Sequence, residues 1–202
     1  MASTSAKEPL KCDGVDLFEF FRQFYPLPEE DFRLLEKNFV PESFSKGSLI
    51  VTPGQVQNNL YFIRSGVQMS YYETDSHRHV IAFTYPPDPC AIPESFAFQQ
   101  PSPYYLTALT DSTADSISFN DLNRLFDSSR HLERLFRIMT EAVLAGLIHR
   151  HIELHALSIG ERYLRFCRRS PHLLQLVPHK YLASYLGIDP TNFSKLYNNV
   201  RI

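Results

Sequence analysis

The chain has no tryptophan and only three cysteines among its 202 residues. It also has no apolar run near the roughly 20 residues needed to cross a membrane. The cysteines, Cys12, Cys90 and Cys167, lie far apart and match no metal-ligand spacing. An iron–sulfur cluster and a disulfide framework are therefore not expected, and the default is a reducing cytoplasm. The N-terminal MASTSAKEPLKCDG lacks the apolar segment of a secretory signal. A fourth scarcity is local: no Lys or Arg occurs between Arg78 and Arg124. Any anion bound by that stretch would lack a cationic partner. No Ser/His/Asp or Cys/His set falls on one site, and no glycine loop suited to phosphate is present, so catalysis is not expected.

Charge is divided unevenly. Residues 128–202 carry 11 basic and 5 acidic side chains, a net of +6, whereas residues 1–127 carry 9 and 17, a net of −8. The total is −2. An acidic front and a basic back suggest that the back half meets a polyanion. Six of the eight histidines (131, 149, 151, 155, 172 and 179) also lie there.

Ser129–Ala156 contains no proline. Leu132, Phe136, Met139, Val143, Gly146 and Leu147 recur at steps of three and four, which predicts one apolar stripe on a helix about 42 Å long. A rod of that length with a narrow seam suits a partner helix, with Gly146 at a close crossing; the alternative is a helix laid lengthwise on its own domain. Upstream, residues 1–12 read as a tail. Asp13–Phe24 and Glu29–Phe39 read as helices, the second with Glu29, Glu30 and Asp31 in its first turn, where the helix dipole favours acids. From Phe44 the period becomes two. Strands are expected at Ser48–Thr52, Leu60–Arg64, Val67–Glu73, His79–Thr84, Tyr105–Leu109 and Ala114–Phe119, an antiparallel sandwich or roll. Pro86–Pro103 holds six of the 14 prolines and reads as a preformed loop. Asn120–Phe126 reads as a short helix. His77-Arg78-His79 could suggest haem or metal ligation, but it follows Asp75-Ser76 at a hairpin tip and reads as solvated turn; no metal is expected.

Beyond the rod, Ser158-Ile159-Gly160-Glu161 is a capping box that opens a helix to Arg169. His172–Val177 reads as a small ribbon. His179–Leu186, the bend at Gly187, the N-cap Asp189 and Pro190–Asn199 form helix, turn, helix. Tyr181, Leu182, Leu186, Ile188, Phe193 and Leu196 can pack the two helices together. Thr191, Asn192, Lys195, Asn198 and Asn199 remain for base edges and phosphates in a major groove.

This order of parts resembles the bacterial Crp/Fnr family of transcription regulators over nearly the whole chain. PGQVQNNLYFIRSGVQMSYY (Pro53–Tyr72) resembles that family's strand-and-turn pattern, and YLASYLGIDPTNFSKL (Tyr181–Leu196) resembles its helix-turn-helix. The resemblance implies an α+β chain in three parts. Residues 1–127 would be an antiparallel, jelly-roll-like β-roll of the cyclic-nucleotide-binding type, acting as a sensor. Residues 128–156 would be the dimerisation helix, and residues 157–202 a winged helix-turn-helix. It implies a homodimer that reads a palindromic duplex in the cytoplasm, with RNA polymerase and a small-molecule effector as further partners and no membrane. In the family register Thr191 and Lys195 take the places of a base-reading Glu and Arg, and Ser194 matches a common serine. Lys180, Arg201 and the Arg162–Arg169 group would anchor the backbone. Members that bind cyclic AMP carry a Gly-Glu turn and then an arginine for the cyclic phosphate. Here Glu94 follows Pro93 and the arginine is missing, so cyclic AMP is not expected and no cofactor is assigned. The candidate effector pocket is Glu94, Ser95, Tyr104 and Tyr105, either suited to a neutral or aromatic ligand or an empty relic; Glu94 could equally cap its own loop. Two rivals remain: a signalling module that has lost DNA binding, and a cupin-type enzyme, for which His77 and His79 are the only front-half histidines.

Overall fold

A computed structural model describes residues 11–12 and 15–199. The chain runs β1 (Lys11–Cys12), β2 (Val15–Asp16), α1 (Leu17–Arg22), α2 (Glu29–Glu36), β3 (Val40–Phe44), β4 (Leu49–Val51), β5 (Asn59–Ser65), β6 (Gln68–Glu73), β7 (Arg78–Thr84) and β8 (Pro89–Cys90). It continues through α3 (Pro93–Phe98), β9 (Tyr105–Ala108), β10 (Ser112–Ser118), α4 (Phe119–Ser128), α5 (Arg130–Ala156), α6 (Ile159–Arg169), α7 (Leu173–Leu176), α8 (His179–Leu186) and α9 (Pro190–Asn199). Most of the expected tail lies outside the described residues; its last two residues pair with β2.

Two four-stranded antiparallel sheets, ordered β3-β10-β5-β8 and β4-β9-β6-β7, form the roll. All six expected strands are present, and β3 and β8 are added to them. Pro41 lies within β3 and Pro89 within β8. Both are edge strands, where a missing N–H is tolerated, so proline is compatible with pairing at these two positions. The proline-dense segment is also more than a loop. Pro93 occupies the first turn of α3, where it needs no donor. The buried Gln57 ties the segment down: its side-chain oxygen accepts from Ile92 N (2.8 Å) and its own N–H donates to Ser95 Oγ (2.9 Å).

Gly66 joins β5 to β6 at φ +85°, a conformation that disfavours a side chain. A Cβ there would lie 2.2 Å from Ser112 Oγ and 2.6 Å from the Asp111 carbonyl oxygen. Gly66→Ala is therefore expected to cost about 2 kcal/mol from left-handed strain plus overpacking. Thermal unfolding should show this as a fall in Tm of about 4–8 °C.

An aromatic cluster from α1 and α2 (Phe20, Phe21, Phe32) packs on Phe62 of β5, on α4, and on the first half of α5. The C-terminal helices bury a second core of Tyr163, Phe166, Cys167, Leu173, Val177, Leu182, Leu186 and Phe193. The expected ribbon at His172–Val177 is instead helix α7. Leu173 and Val177, one helical turn apart, both enter this second core. Among the described residues no strand follows Ser118, so the expected wing is absent from them.

Candidate functional site

The rod begins at a cap: Ser129 Oγ accepts from Leu132 N at 3.2 Å. Its two halves differ in environment. Leu132 and Met139 are buried and Phe136 is partly buried, all in the chain's own front core. These three are therefore not free to meet a partner, which corrects the expected seam. Helical spacing alone does not reveal which face the protein's own aromatic cluster covers. From Glu141 to His149 every residue is exposed. Val143, Leu144, Leu147, Ile148 and Ile152 are 50–57% exposed. Leu144, Ile148, His151 and His155 follow a four-three-four spacing, the heptad pattern of a coiled-coil seam, flanked by Val143, Leu147 and Ile152. At 100° per residue Gly146 lies on the opposite side of the helix from Leu144 and Ile148. A Cβ on it would meet nothing within 4 Å. It marks no crossing within this chain.

The expected capping box opens α6: Glu161 N donates to Ser158 Oγ (3.3 Å), and Ser158 N donates to Glu161 Oε2 (2.9 Å). Gly187, at φ +61°, makes the bend between α8 and α9. Asp189 Oδ1 accepts from Thr191 N (2.8 Å) and Asn192 N (3.4 Å), capping α9. Phe193 is buried against Tyr163. Thr191, Asn192, Ser194, Lys195, Asn198 and Asn199 are exposed, as is Lys180. The Ser194 hydroxyl donates within the helix to Pro190 O (3.0 Å). Arg201 lies outside the described residues. The Arg162–Arg169 group is largely engaged in the fold. Arg162 donates to the carbonyls of Leu154, Leu157 and Gly187, and Arg165 and Arg169 pair with Glu153. Only Arg168 of this group is exposed without an ion pair among the described residues. Tyr197, its ring tilted at 52° with its centre 4.2 Å from that of His179 and 40% exposed, joins the same surface.

A contact not anticipated from sequence holds this unit to the roll. β7 is an edge strand, and α8 caps its free backbone groups. Ser184 Oγ donates to Arg78 O (2.9 Å) and accepts from Val80 N (3.0 Å). Arg150 of the rod donates to Ile81 O (2.8 Å) and Tyr185 O (2.7 Å), with its guanidinium 3.5 Å from the Tyr185 ring centre. Burial pulls the Arg150 guanidinium below the usual arginine range and Arg169 adds to this, while Tyr185 and Glu153 oppose it. An open groove of about 1210 Å³ separates the β6–β7 hairpin tip from the Gly187–Pro190 turn. His77 and His79 are exposed at that tip. Among the described residues no three metal-ligating side chains of the chain converge.

Of the four candidate effector residues, Glu94 lies beside Tyr104, while Ser95 and Tyr105 are engaged elsewhere. Glu94 is exposed. Ser95 is buried and structural, its hydroxyl accepting from Gln57 N and donating to Gln100 O (2.8 Å). Tyr104 packs with the roll interior, where burial and then Glu94 push its hydroxyl pKa up. Tyr105 stacks on Tyr71 at 4.9 Å and faces α8. Tyr104 and Tyr105 therefore pack in different clusters and do not face one site. The roll does hold a polar group missed in the sequence. Gln68 is fully buried, and neither its amide nitrogen nor its amide oxygen has a partner among the described residues. Its β register opposite Thr84 and Ala108 puts all three on one sheet face.

Burial pushes both the Cys90 thiol, to about 12, and the Cys167 thiol upward. Both are buried and unbridged. A thiol-modifying reagent at pH 8 should leave them intact in native protein and label both after denaturation. Peptide mass spectrometry would check this.

Taken together, the described elements are a two-sheet antiparallel β-roll, a long helix and a C-terminal helical hairpin. Residues 41–129 match the cyclic nucleotide-binding domain family. No curated protein matches the sequence. Solved structures share the fold at low identity. FixK2 from Bradyrhizobium japonicum is 17% identical with a TM-score of 0.68, over 79% of this chain and 83% of that one. A putative transcriptional regulator of the crp/fnr family from Eubacterium rectale is 14% identical with a TM-score of 0.66, over 89% and 86%. The Thermus thermophilus catabolite activator protein is 19% identical with a TM-score of 0.55, over 87% and 84%. No helix among the described residues is long and apolar enough to cross a membrane.

Proposed function

We propose that this chain is a homodimeric, cytoplasmic DNA-binding transcription regulator of the Crp/Fnr type. Its β-roll senses something other than cyclic AMP, and it carries no catalytic activity. The observation that carries the reading is the capped hairpin α8–α9. It buries Phe193 and leaves a continuous polar face of Thr191, Asn192, Lys195, Asn198 and Asn199. A helix of that kind fits a major groove. The exposed heptad-spaced stripe on α5 supplies a surface on which two copies could pair. Half-sites about 34 Å apart would then be read together, with RNA polymerase as a further partner.

Cyclic AMP fits poorly because no cation lies between Arg78 and Arg124, and a buried cyclic phosphate without one is costly. A neutral small molecule in the roll is the effector class this reading favours. Its signal would reach α9 through the β7–α8 contact as well as through the Leu157–Ser158 hinge. Operator affinity measured with and without candidate ligands tests the coupling, and equal affinity throughout would contradict it.

Lys195→Ala tests the DNA face. It is expected to weaken binding by about 1–3 kcal/mol and to relax sequence preference, as read by titration of a labelled duplex at fixed salt. A second reading, a sensor that no longer binds DNA, is favoured by one observation: Lys195 is the one cation on α9. Under it, Lys195→Ala changes nothing, because intact dimers ignore duplex at low salt.

A further inference from the structure

We propose that His151 and His155 from two chains together form a transition-metal site at the C-terminal end of the dimer seam. The proposal rests on the dimer reading above. The two side chains are one helical turn apart, exposed, with ring centroids 4.5 Å apart and planes inclined at 54°. Histidines at i and i+4 on one helix face can ligate a single metal ion. They also occupy the seam itself, as the last two steps of the Leu144–Ile148–His151–His155 spacing.

In a parallel two-fold pair each seam residue meets its own counterpart. Two copies therefore bring four imidazoles together in two adjacent layers. One chain alone offers no convergent set of three or more ligands among the described residues, so the site is incomplete without the partner. Imidazoles enclosed in an apolar seam with no hydrogen-bond partner are costly. A metal ion removes that cost by engaging one nitrogen of each ring.

The neighbouring groups fix the donor chemistry. Glu153 is turned toward Arg165 (3.3 Å) and Arg169 (3.9 Å). His149 lies about 160° around the helix from His151. The donor set is therefore four imidazoles without carboxylate or thiolate. That set suits Zn²⁺, Cu²⁺ or Ni²⁺ and not the oxygen-seeking Ca²⁺ or Mg²⁺. Four nitrogens at about 2.0–2.1 Å match tetrahedral Zn²⁺. The site's place also favours a cation: His155 is in the last turn of α5, where the helix dipole is negative. It lies two residues before Leu157, the start of the connection to α6. A metal there would fasten the bases of both DNA-reading units, which departs from the sequence expectation of no metal.

The test uses untagged full-length protein titrated with ZnCl₂ while sedimentation and bound metal are followed, and repeated with CoCl₂ for its visible spectrum. The expected result is one Zn²⁺ per two chains and a dimer dissociation constant lowered at least tenfold. Co²⁺ should give the intense bands of tetrahedral coordination. His151→Ala/His155→Ala should still dimerise but lose the metal, the spectrum and the tightening. A dimer that takes up no Zn²⁺, or uptake unchanged in the double variant, would overturn the metal site and leave the dimer intact. A chain that stays monomeric at every metal concentration would overturn the dimer reading and the site with it.

Discussion

Leu144→Glu/Ile148→Glu should leave the chain folded but monomeric, with at least a hundredfold loss of affinity for a palindromic duplex. The argument starts from exposure. Both side chains are more than half exposed in the single chain, so glutamates there meet water and cost the fold little. In a two-fold seam the same four carboxylates would face one another. Like charges brought together in that way oppose association, and loss of the second reading helix removes the effective-concentration gain of roughly 10²–10⁴. Circular dichroism should be unchanged while the sedimenting mass halves. The contrast with Leu132 is informative. Leu132 is fully buried in the chain's own core, and Leu132→Ala would act on folding, by about 2–5 kcal/mol.

The second large effect is expected at Arg150. Its guanidinium forks between the carbonyls of β7 and α8 and stacks on Tyr185. Arg150→Ala removes two charge-assisted hydrogen bonds and a cation–π contact in one step, a cost of about 2–4 kcal/mol. The loss should fall on the junction between roll and hairpin. Hydrogen exchange should accelerate in β7 and α8 while the Phe21–Phe62 core keeps its protection. Arg150→Lys should recover only part of the loss, because an ammonium cannot reproduce the planar fork. If duplex affinity depends on the seating of α8, it should change in Arg150→Ala while the dimer persists.

What could be read from the sequence was local. Ser129 and the proline-free stretch after it predicted α5 to within a residue. Ser158 and Glu161 predicted a reciprocal cap, and Gly187 with Asp189 and Pro190 predicted the bend and restart. Each of these depends on contacts within a few residues. What was not legible depends on distant ones. β3, with Pro41 inside it, is an edge strand whose partner β10 lies far further along the chain. Leu132, Phe136 and Met139 had the spacing of a seam, but they pack in the core with aromatic rings of α1, α2 and β5, far earlier in the chain. Tyr104 and Tyr105 are adjacent in sequence and part company in the fold, one into the roll and one toward α8. Ser184 and Arg150 gave no sign that they would seal the edge of β7. The exposed stripe through Leu144 and Ile148 lies on a different helix face from the spacing that starts at Leu132, which runs on from the buried half of the rod.

The most direct test is the mass of the protein–duplex complex, with a duplex selected by the protein from a random pool, in sedimentation equilibrium at low salt. Two chains per duplex, with half-sites about one helical turn apart, is the predicted result. A chain that sediments as a monomer and leaves the duplex free would contradict the account.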